Sequence, residues 1–260
     1  MSRKHAPPFK QRQILVPHTG PKREPKQITV QVAVPSTGLW FADFGTSLCN
    51  MLAAWALFRF EDYDRQLALT MNVKGSILTK SRRLACEEAA RHEADYLLFI
   101  DSDQTFPRKT LHKLLSHHVD CVACNIATKT IPAQPTARNK HESGDPKKWV
   151  TVYTDAESTG LEKVDRIGAG VMLLSRKAYE ALKPGSFDMF WREDVQADQG
   201  EDWSMCEALT AAGISIYIDH DLSKEVGHVG FFTYTHDVVG EVVSVRDPEP
   251  QQAEQAQAVG

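Results

Sequence analysis

One stretch near the middle of the chain constrains the fold more than any other. It reads Asp95-Tyr96-Leu97-Leu98-Phe99-Ile100-Asp101-Ser102-Asp103, so an apolar run ends abruptly in two carboxylates separated by one residue. An apolar run of about four to eight residues bounded by polar ones is typical of a buried strand. We therefore expect Asp101 and Asp103 at the end of a central strand, which is where open α/β sheets bind their ligands.

The two carboxylates favour a bound divalent cation. With little protein charge around them they repel each other unless a cation lies between them. Oxygen ligands suit Mg²⁺ or Mn²⁺ better than softer metals, and such an ion could also hold a diphosphate. The alternative is that both acids cap the helix predicted from Pro107 to His117, because negative charge is favoured near a helix start.

Strand and helix patterns alternate along most of the chain. Strands are predicted at 28–34, 67–73, 119–127, 149–153, 167–174 and 214–218, and helices at 41–60, 78–92, 107–117, 176–182 and 201–212. The alternation predicts a single α/β domain with a mostly parallel, doubly wound sheet flanked by helices. A Pro- and Lys-rich segment, 128–150, is predicted to be a long loop beside the ligand edge. A second irregular stretch is predicted at 184–199.

Composition fits one domain of catalytic size that follows a basic arm. The 260 residues are 42% hydrophobic and 25% charged, enough for one sizeable core. Before Gln27 the chain carries Arg3, Lys4, Lys10, Arg12, Lys22, Arg23 and Lys26 against the single acid Glu24. We expect a disordered arm at 1–27, the catalytic domain at 28–240 and a flexible tail at 241–260. The arm either contacts nucleic acid or an anionic membrane, or is a solvated tail.

Apolar segments and cysteines favour a cytoplasmic protein. The longest apolar segment, Leu39 to Phe60, is interrupted by Asp43, Asn50 and Arg59, so a buried helix is expected rather than a membrane span. No apolar stretch of signal-peptide length follows the basic start. The five cysteines are odd in number and scattered, which fits a reducing compartment. The Cys121-x-x-Cys124 pair is interpreted as two small core residues rather than a metal or redox site.

Several segments, in this order, resemble the nucleotide-sugar glycosyltransferases of the A fold. The strand ending in Asp101-Ser102-Asp103 is similar to the metal site of that family. The other matching segments are Val32–Ser36 (first strand and nucleotide-binding turn), Arg82-Arg83 (helix before the metal strand), Ile167–Leu174 (acceptor-side strand), Gly200–Trp203 (Glu-Asp motif) and Lys224–Gly230 (closing segment with a histidine). The resemblance covers about Gln31 to Tyr234.

The resemblance implies a metal-dependent enzyme that moves a sugar from a nucleoside diphosphate sugar, with a UDP-sugar favoured, to an acceptor hydroxyl. It implies Mn²⁺ or Mg²⁺ held by Asp101, Asp103 and His228, of which Asp103 is the direct ligand. The implied donor-binding residues are Pro35, Ser36, Arg82, Asp101 and Ser102.

The resemblance also assigns two acids to the acceptor side. Asp202 is the implied catalytic base, which favours inversion of the anomeric centre, and Glu201 would orient the acceptor. The two roles are interchangeable on the sequence alone. The alternative is that both acids simply begin a helix.

Two other classes of protein fit the paired aspartates. A metal-dependent nucleotidyltransferase would need a basic Gly-rich phosphate loop, and Pro35-Ser36-Thr37-Gly38 lacks a lysine. Gly168-Ala169-Gly170 is not a dinucleotide fingerprint, because Leu173 occupies the third glycine position. A non-catalytic sugar- or nucleic-acid-binding protein would show strong salt dependence and no metal requirement. The residues do not specify the acceptor, which could be a glycan, a small molecule, a protein or a modified nucleic-acid base.

Overall fold

A central sheet of seven strands is built from the apolar segments of the chain. The computed structural model describes residues 26–75, 77–230, 233–236 and 239. Its strands are β1 Gln27–Ser36, β2 Arg65–Lys74, β3 Tyr96–Ile100, β4 Gln104–Thr105, β5 Cys121–Ala123, β6 Arg138–Lys140, β7 Trp149–Thr151, β8 Leu161–Val164, β9 Val171–Ser175, β10 Phe190–Arg192, β11 Ala197–Gln199, β12 Ile216–Asp219, β13 Gly227–Val229 and β14 Thr233–Tyr234. Its helices are α1 Ala42–Leu57, α2 Leu78–Arg91, α3 Thr110–Ser116, α4 Arg176–Ala181, α5 Glu201–Ala211 and α6 His220–Ser223, with a 3₁₀ helix at Pro184–Phe187. The predicted arm lies outside the described residues except for Lys26 and Gln27, and so does the whole predicted tail.

The order of the strands in the central sheet is β2-β1-β3-β9-β5-β12-β8. Strand β1 pairs in parallel with β2 and β3, and β5 pairs in parallel with β12. Strand β9 is antiparallel to both of its neighbours, and β8 is antiparallel to β12. Five strands of this sheet therefore run one way and β8 and β9 run the other. The fold is a mixed α/β domain whose central sheet is mostly parallel, as expected, with β8 and β9 running against the other five strands.

The antiparallel direction of β9 could not be predicted from its sequence. Residues Val171 to Leu174 are all buried, because both faces of this central strand are covered. Such a strand shows no alternation of polar and apolar side chains and looks the same in either direction.

Two segments predicted to be irregular contain regular structure. The 184–199 stretch holds the 3₁₀ helix and the antiparallel hairpin of β10 and β11. The 128–150 loop contains β6, which pairs with β7. Both hairpins use strands of three residues, which are too short to give a period in sequence.

The core lies on both faces of the sheet. Along β3, Leu98 and Ile100 join one apolar cluster whereas Leu97 and Phe99 join the other, as the alternation of side chains in a strand requires. Helix α1 packs on the first face, and α2 and α5 pack on the second. Cys121 and Cys124 are fully buried, as predicted. Among the described residues, no helix has the length and apolar character needed to cross a membrane.

Candidate active site

The two aspartates leave the sheet at the carboxyl end of β3. The strand ends at Ile100, and the backbone N–H of Asp101 donates to the carbonyl oxygen of Gly170 at 2.9 Å. The carbonyl oxygen of Asp103 accepts from the N–H of Val229 at 2.7 Å. The prediction that both carboxylates follow a buried central strand is confirmed.

A glycine on the antiparallel neighbour makes room for the first aspartate. A Cβ atom on Gly170 would lie 2.7 Å from Cδ1 of Ile126 and 3.3 Å from Oδ2 of Asp101 and Nε2 of Gln104. Only a residue without a side chain fits here unless these neighbours move. The sequence analysis named Gly170 as part of the acceptor-side strand but not as a residue of the site.

A buried arginine links the first aspartate to the acid pair of α5. Arg82 is 2% exposed. Its Nη2 lies 3.3 Å from Oδ1 of Asp101, and its Nε lies 3.5 Å from Oε1 of Glu201. Its Nη1 donates to the carbonyl oxygen of Ala169 at 3.4 Å. Burial acts to lower the pKa of Arg82, but the surrounding carboxylates outweigh it and raise this pKa.

The structure places Arg82 in the interior, with its guanidinium against the carboxylates of Asp101 and Glu201. Its expected contact with the donor stays a prediction. Arg82 lies on the same face of α2 as the buried residues Ala85, Cys86 and Ala89. That helical spacing is the sequence signal that could have revealed its burial.

The acid pair lies at the first turn of α5. Glu201 is buried, and the neighbouring Asp202 is half-buried and accepts a hydrogen bond on Oδ1 from the N–H of Trp203 at 2.8 Å. Burial, together with repulsion from Glu201, raises the pKa of Asp202 to about 6. Asp202 is therefore mostly ionised at neutral pH and is more basic than an ordinary aspartate, as a proton acceptor should be.

The second aspartate faces Lys129 and His228 instead of Arg82. Oδ2 of Asp103 forms an ion pair with Nζ of Lys129 and lies 3.4 Å from Nε2 of His228. Burial acts to raise the pKa of Asp103, but the hydrogen bonds from His228 and Lys129 outweigh it and lower this pKa to about 2. Lys129 was not among the predicted site residues, because a lysine in a long loop carries no local pattern.

The orientation of His228 bears on metal binding. Its Nδ1 lies 2.9 Å from the carbonyl oxygen of Ala127, and since a carbonyl only accepts, Nδ1 carries a proton. When the ring is protonated, Nε2 donates to Asp103, which is the state that lowers the pKa of that carboxyl. When the ring is neutral, Nε2 instead offers a lone pair toward the carboxylate of Asp103. Two electron-pair donors converge there, which suits a cation between them.

The protein donors for a metal ion are few. Among the described residues, no group of three or more His, Cys, Asp and Glu side chains is arranged to hold a metal ion. Asp101, one of the three predicted ligands, has its Oδ1 3.3 Å from Nη2 of Arg82. Asp103 and His228 still fit Mg²⁺ or Mn²⁺, because such ions commonly take one or two protein ligands and complete their shell with substrate phosphates and water.

The predicted nucleotide turn lies at the end of β1. Pro35 and Ser36 are buried, and Oγ of Ser36 accepts from the N–H of Gly38 at 3.0 Å and donates to the carbonyl oxygen of Leu39 at 3.2 Å. The turn continues to Phe41, whose ring lies 5.9 Å below Nζ of Lys129. Lys129 therefore connects this turn with Asp103. The remaining predicted donor residue, Ser102, is half-buried between the two aspartates.

Comparisons with known proteins give structural likenesses only. No protein-family model matches the chain, and none of the curated proteins matches it. A197 from STIV matches with 14% sequence identity and a TM-score of 0.44, over 78% of this chain and 86% of that one. A nucleoside-diphosphate-sugar pyrophosphorylase from Vibrio cholerae RC9 matches with 15% identity and a TM-score of 0.40, over 76% of this chain and 93% of that one. Both TM-scores are below 0.5, so neither structure identifies the family of this chain.

Proposed function

We propose that this protein is a metal-dependent glycosyltransferase of the A fold that transfers a sugar from a nucleoside diphosphate sugar to an acceptor hydroxyl. The observation that carries the proposal is the bridge made by Arg82 between Asp101 and Glu201. It joins the carboxylates after β3 to the acid pair of α5 in one site. A transferase needs these two groups together, one at the donor and one at the acceptor.

The donor diphosphate belongs at Asp103. Asp103 and His228 would hold Mn²⁺ or Mg²⁺, which when bound offsets the negative charge that grows on the departing diphosphate. Lys129 lies at the same carboxylate and is within reach of an anion there. The buried turn at Pro35 and Ser36 would lie beside the nucleoside, for which a UDP-sugar is the favoured donor.

The charges of the site support binding of a cation. Four carboxylates, those of Asp101, Asp103, Glu201 and Asp202, surround the cations Arg82 and Lys129. Two negative charges are left when all six groups are ionised and His228 is neutral. One divalent ion balances them.

The acceptor side is assigned to the two acids of α5. The acceptor oxygen attacks the anomeric carbon, its proton passes to Asp202, and the bond from that carbon to the diphosphate breaks with its electron pair on the leaving group. Glu201 is tied to Arg82, whereas Asp202 lacks such a tie among the contacts described and has a pKa of about 6. Asp202 is thus the better base, and a base opposite the leaving group gives inversion.

The test is release of the nucleotide from a panel of UDP-, GDP-, CMP- and TDP-sugars with Mn²⁺ or Mg²⁺. The unmodified protein is compared with Asp103→Asn, and with Asp120→Asn as a matched control. Asp120 lies at the amino end of β5, whereas Asp103 follows the carboxyl end of β3, and Asp120 pairs with Lys177. We expect release from one donor, lost with EDTA and in Asp103→Asn but kept in the control.

Binding measurements decide the case in which no donor is turned over, because a transferase can require its acceptor. Metal-dependent binding of a nucleoside diphosphate that is lost in Asp103→Asn would still support the proposal. Pyrophosphate release from a nucleoside triphosphate and a sugar phosphate would assign the site to a nucleotidyltransferase. Absence of any metal-dependent nucleotide binding would favour a non-catalytic binding protein.

A further inference from the structure

An open cavity with apolar walls ends at Glu201. One wall is the start of α2, where Ile77 is 59% and Leu78 37% exposed. The other apolar wall is the segment that leads into β10, where Met189 is 61% and Phe190 48% exposed. Exposed apolar side chains from two distant segments gathered around one cavity are unusual on a protein surface and mark binding sites.

The polar end of this cavity belongs to the candidate active site. Glu201 is only 8% exposed and lines the cavity together with Asp188 and Thr79. Through Arg82 it is connected to Asp101. A molecule lying between the apolar walls would therefore place its polar end at the acid pair of α5.

We propose that the cavity binds the acceptor, and that the acceptor is an amphipathic molecule with a hydroxyl group at Glu201 and Asp202 and an alkyl chain between the apolar walls. This inference rests on the proposed function for the identity of the polar end. Three of the four wall residues are aliphatic, which favours an alkyl chain. A purely polar acceptor such as a free sugar would leave these walls in water.

A pair of glycosides that differ only in the alkyl group tests the proposal. Binding of n-octyl β-D-glucopyranoside, below its micelle-forming concentration, is compared with binding of methyl β-D-glucopyranoside by calorimetry. We expect the octyl compound to bind at least about tenfold more tightly, which needs burial of only about two CH₂ groups. Equal affinities, or no binding of either compound, would overturn the proposal.

Two variants of the wall and one control locate the binding site. Met189→Ser and Phe190→Ser should each weaken octyl glucoside binding at least about threefold. Trp191→Ser is the matched control, because Trp191 is 50% exposed in the same strand but points to the other face than Phe190 and does not line the cavity. Equal effects of all three substitutions would show that the cavity is not the site. A dimer that dissociates in Phe190→Ser would assign the walls to self-association instead.

Nucleotide binding in the same variants separates this inference from the proposed function. UDP with Mn²⁺ should bind the two wall variants as it binds the unmodified protein, because Asp103 is not among the residues that line the cavity. Octyl glucoside binding without any nucleotide binding would refute the transferase and leave a site for alkyl compounds. Nucleotide binding without octyl glucoside binding would refute the acceptor class alone.

Discussion

Replacing Arg82 with methionine should destabilise the domain far more than any other single charge removal on α2. Arg82 is 2% exposed and faces the carboxylates of Asp101 and Glu201 at 3.3 and 3.5 Å. Removing one partner of a buried ion pair costs about 3–5 kcal/mol, because the remaining charge is left uncompensated. These distances are longer than the best charged hydrogen bonds, so we expect the lower end, about 3 kcal/mol.

Arg83→Met provides the matched control on the same helix. The Arg83 side chain is 33% exposed and pairs with Glu87 one turn later. Exposed pairs of this kind contribute about 0–1 kcal/mol. Urea unfolding measures both variants. With an m-value of about 2–3 kcal/mol per molar urea, the midpoint should fall by about 1 M for Arg82→Met and hardly change for Arg83→Met.

The destabilisation should also depend on pH. Burial raises the pKa of Asp101 above its ordinary value of 3.8 even though Arg82 acts to lower it, so removing Arg82 raises this pKa further. Between the ordinary pKa of Asp101 and its raised pKa in the folded variant, the folded variant binds more protons than the unfolded chain. The stability of the variant therefore falls as pH rises through this range. The gap between the two variants should be large at pH 7.5 and smaller near pH 5. A gap that is absent, or that does not change with pH, would refute the buried network.

Three further predictions concern the base, the packing around Asp101 and the cation at Asp103. The kcat/KM of transfer should rise with pH around a midpoint of about 6, as Asp202 loses its proton. Asp202→Asn should abolish transfer but keep donor binding. A pH profile of kcat/KM without this midpoint would exclude Asp202 as the base. Gly170→Ala should lower the unfolding free energy by about 1–3 kcal/mol, because the added Cβ would meet Ile126. The double variant with Ile126→Val should recover part of this loss. An unchanged unfolding free energy in Gly170→Ala would contradict the tight packing. Lys129→Met should tighten binding of Mn²⁺ alone by roughly fivefold to tenfold, equivalent to about 1–1.4 kcal/mol, because Asp103 loses its ion-pair partner. Electron paramagnetic resonance measures the free Mn²⁺, and the control is Lys113→Met, since Lys113 pairs with Glu225 instead. Equal affinities of the Lys129→Met variant and the unmodified protein would show that Lys129 and Mn²⁺ do not compete.

The parts of the site that are local in sequence could be predicted. Strand β3 ends at Ile100, where the apolar run gives way to Asp101, and helix α5 begins at Glu201, directly after Gly200. Both boundaries lie where expected. The roles of the acids after these elements stay predictions. Their positions follow from strand and helix boundaries alone.

Contacts between distant segments were beyond the sequence. His228 lies in the three-residue strand β13, which reaches Asp103 only through pairing with β4 and the bond from Val229. Lys129 meets the same carboxylate from a loop. Loop closure over such separations is decided by the whole fold, so no local pattern records it. Only the resemblance to the glycosyltransferases pointed to His228, and nothing pointed to Lys129.

The two aspartates of the Asp-x-Asp segment have opposite electrostatic environments. Burial, with repulsion from nearby carboxylates, keeps the pKa of Asp101 raised, whereas His228 and Lys129 lower the pKa of Asp103 to about 2. Asp103 is ionised at neutral pH, and its partners Lys129 and His228 are more exposed than Arg82, which suits Asp103 to bind a metal ion. A residue held by a buried arginine is suited to fix geometry. We therefore expect Asp103 to be the residue that binds the metal ion, and Asp101 to act through Arg82, which links it to the acid pair of α5.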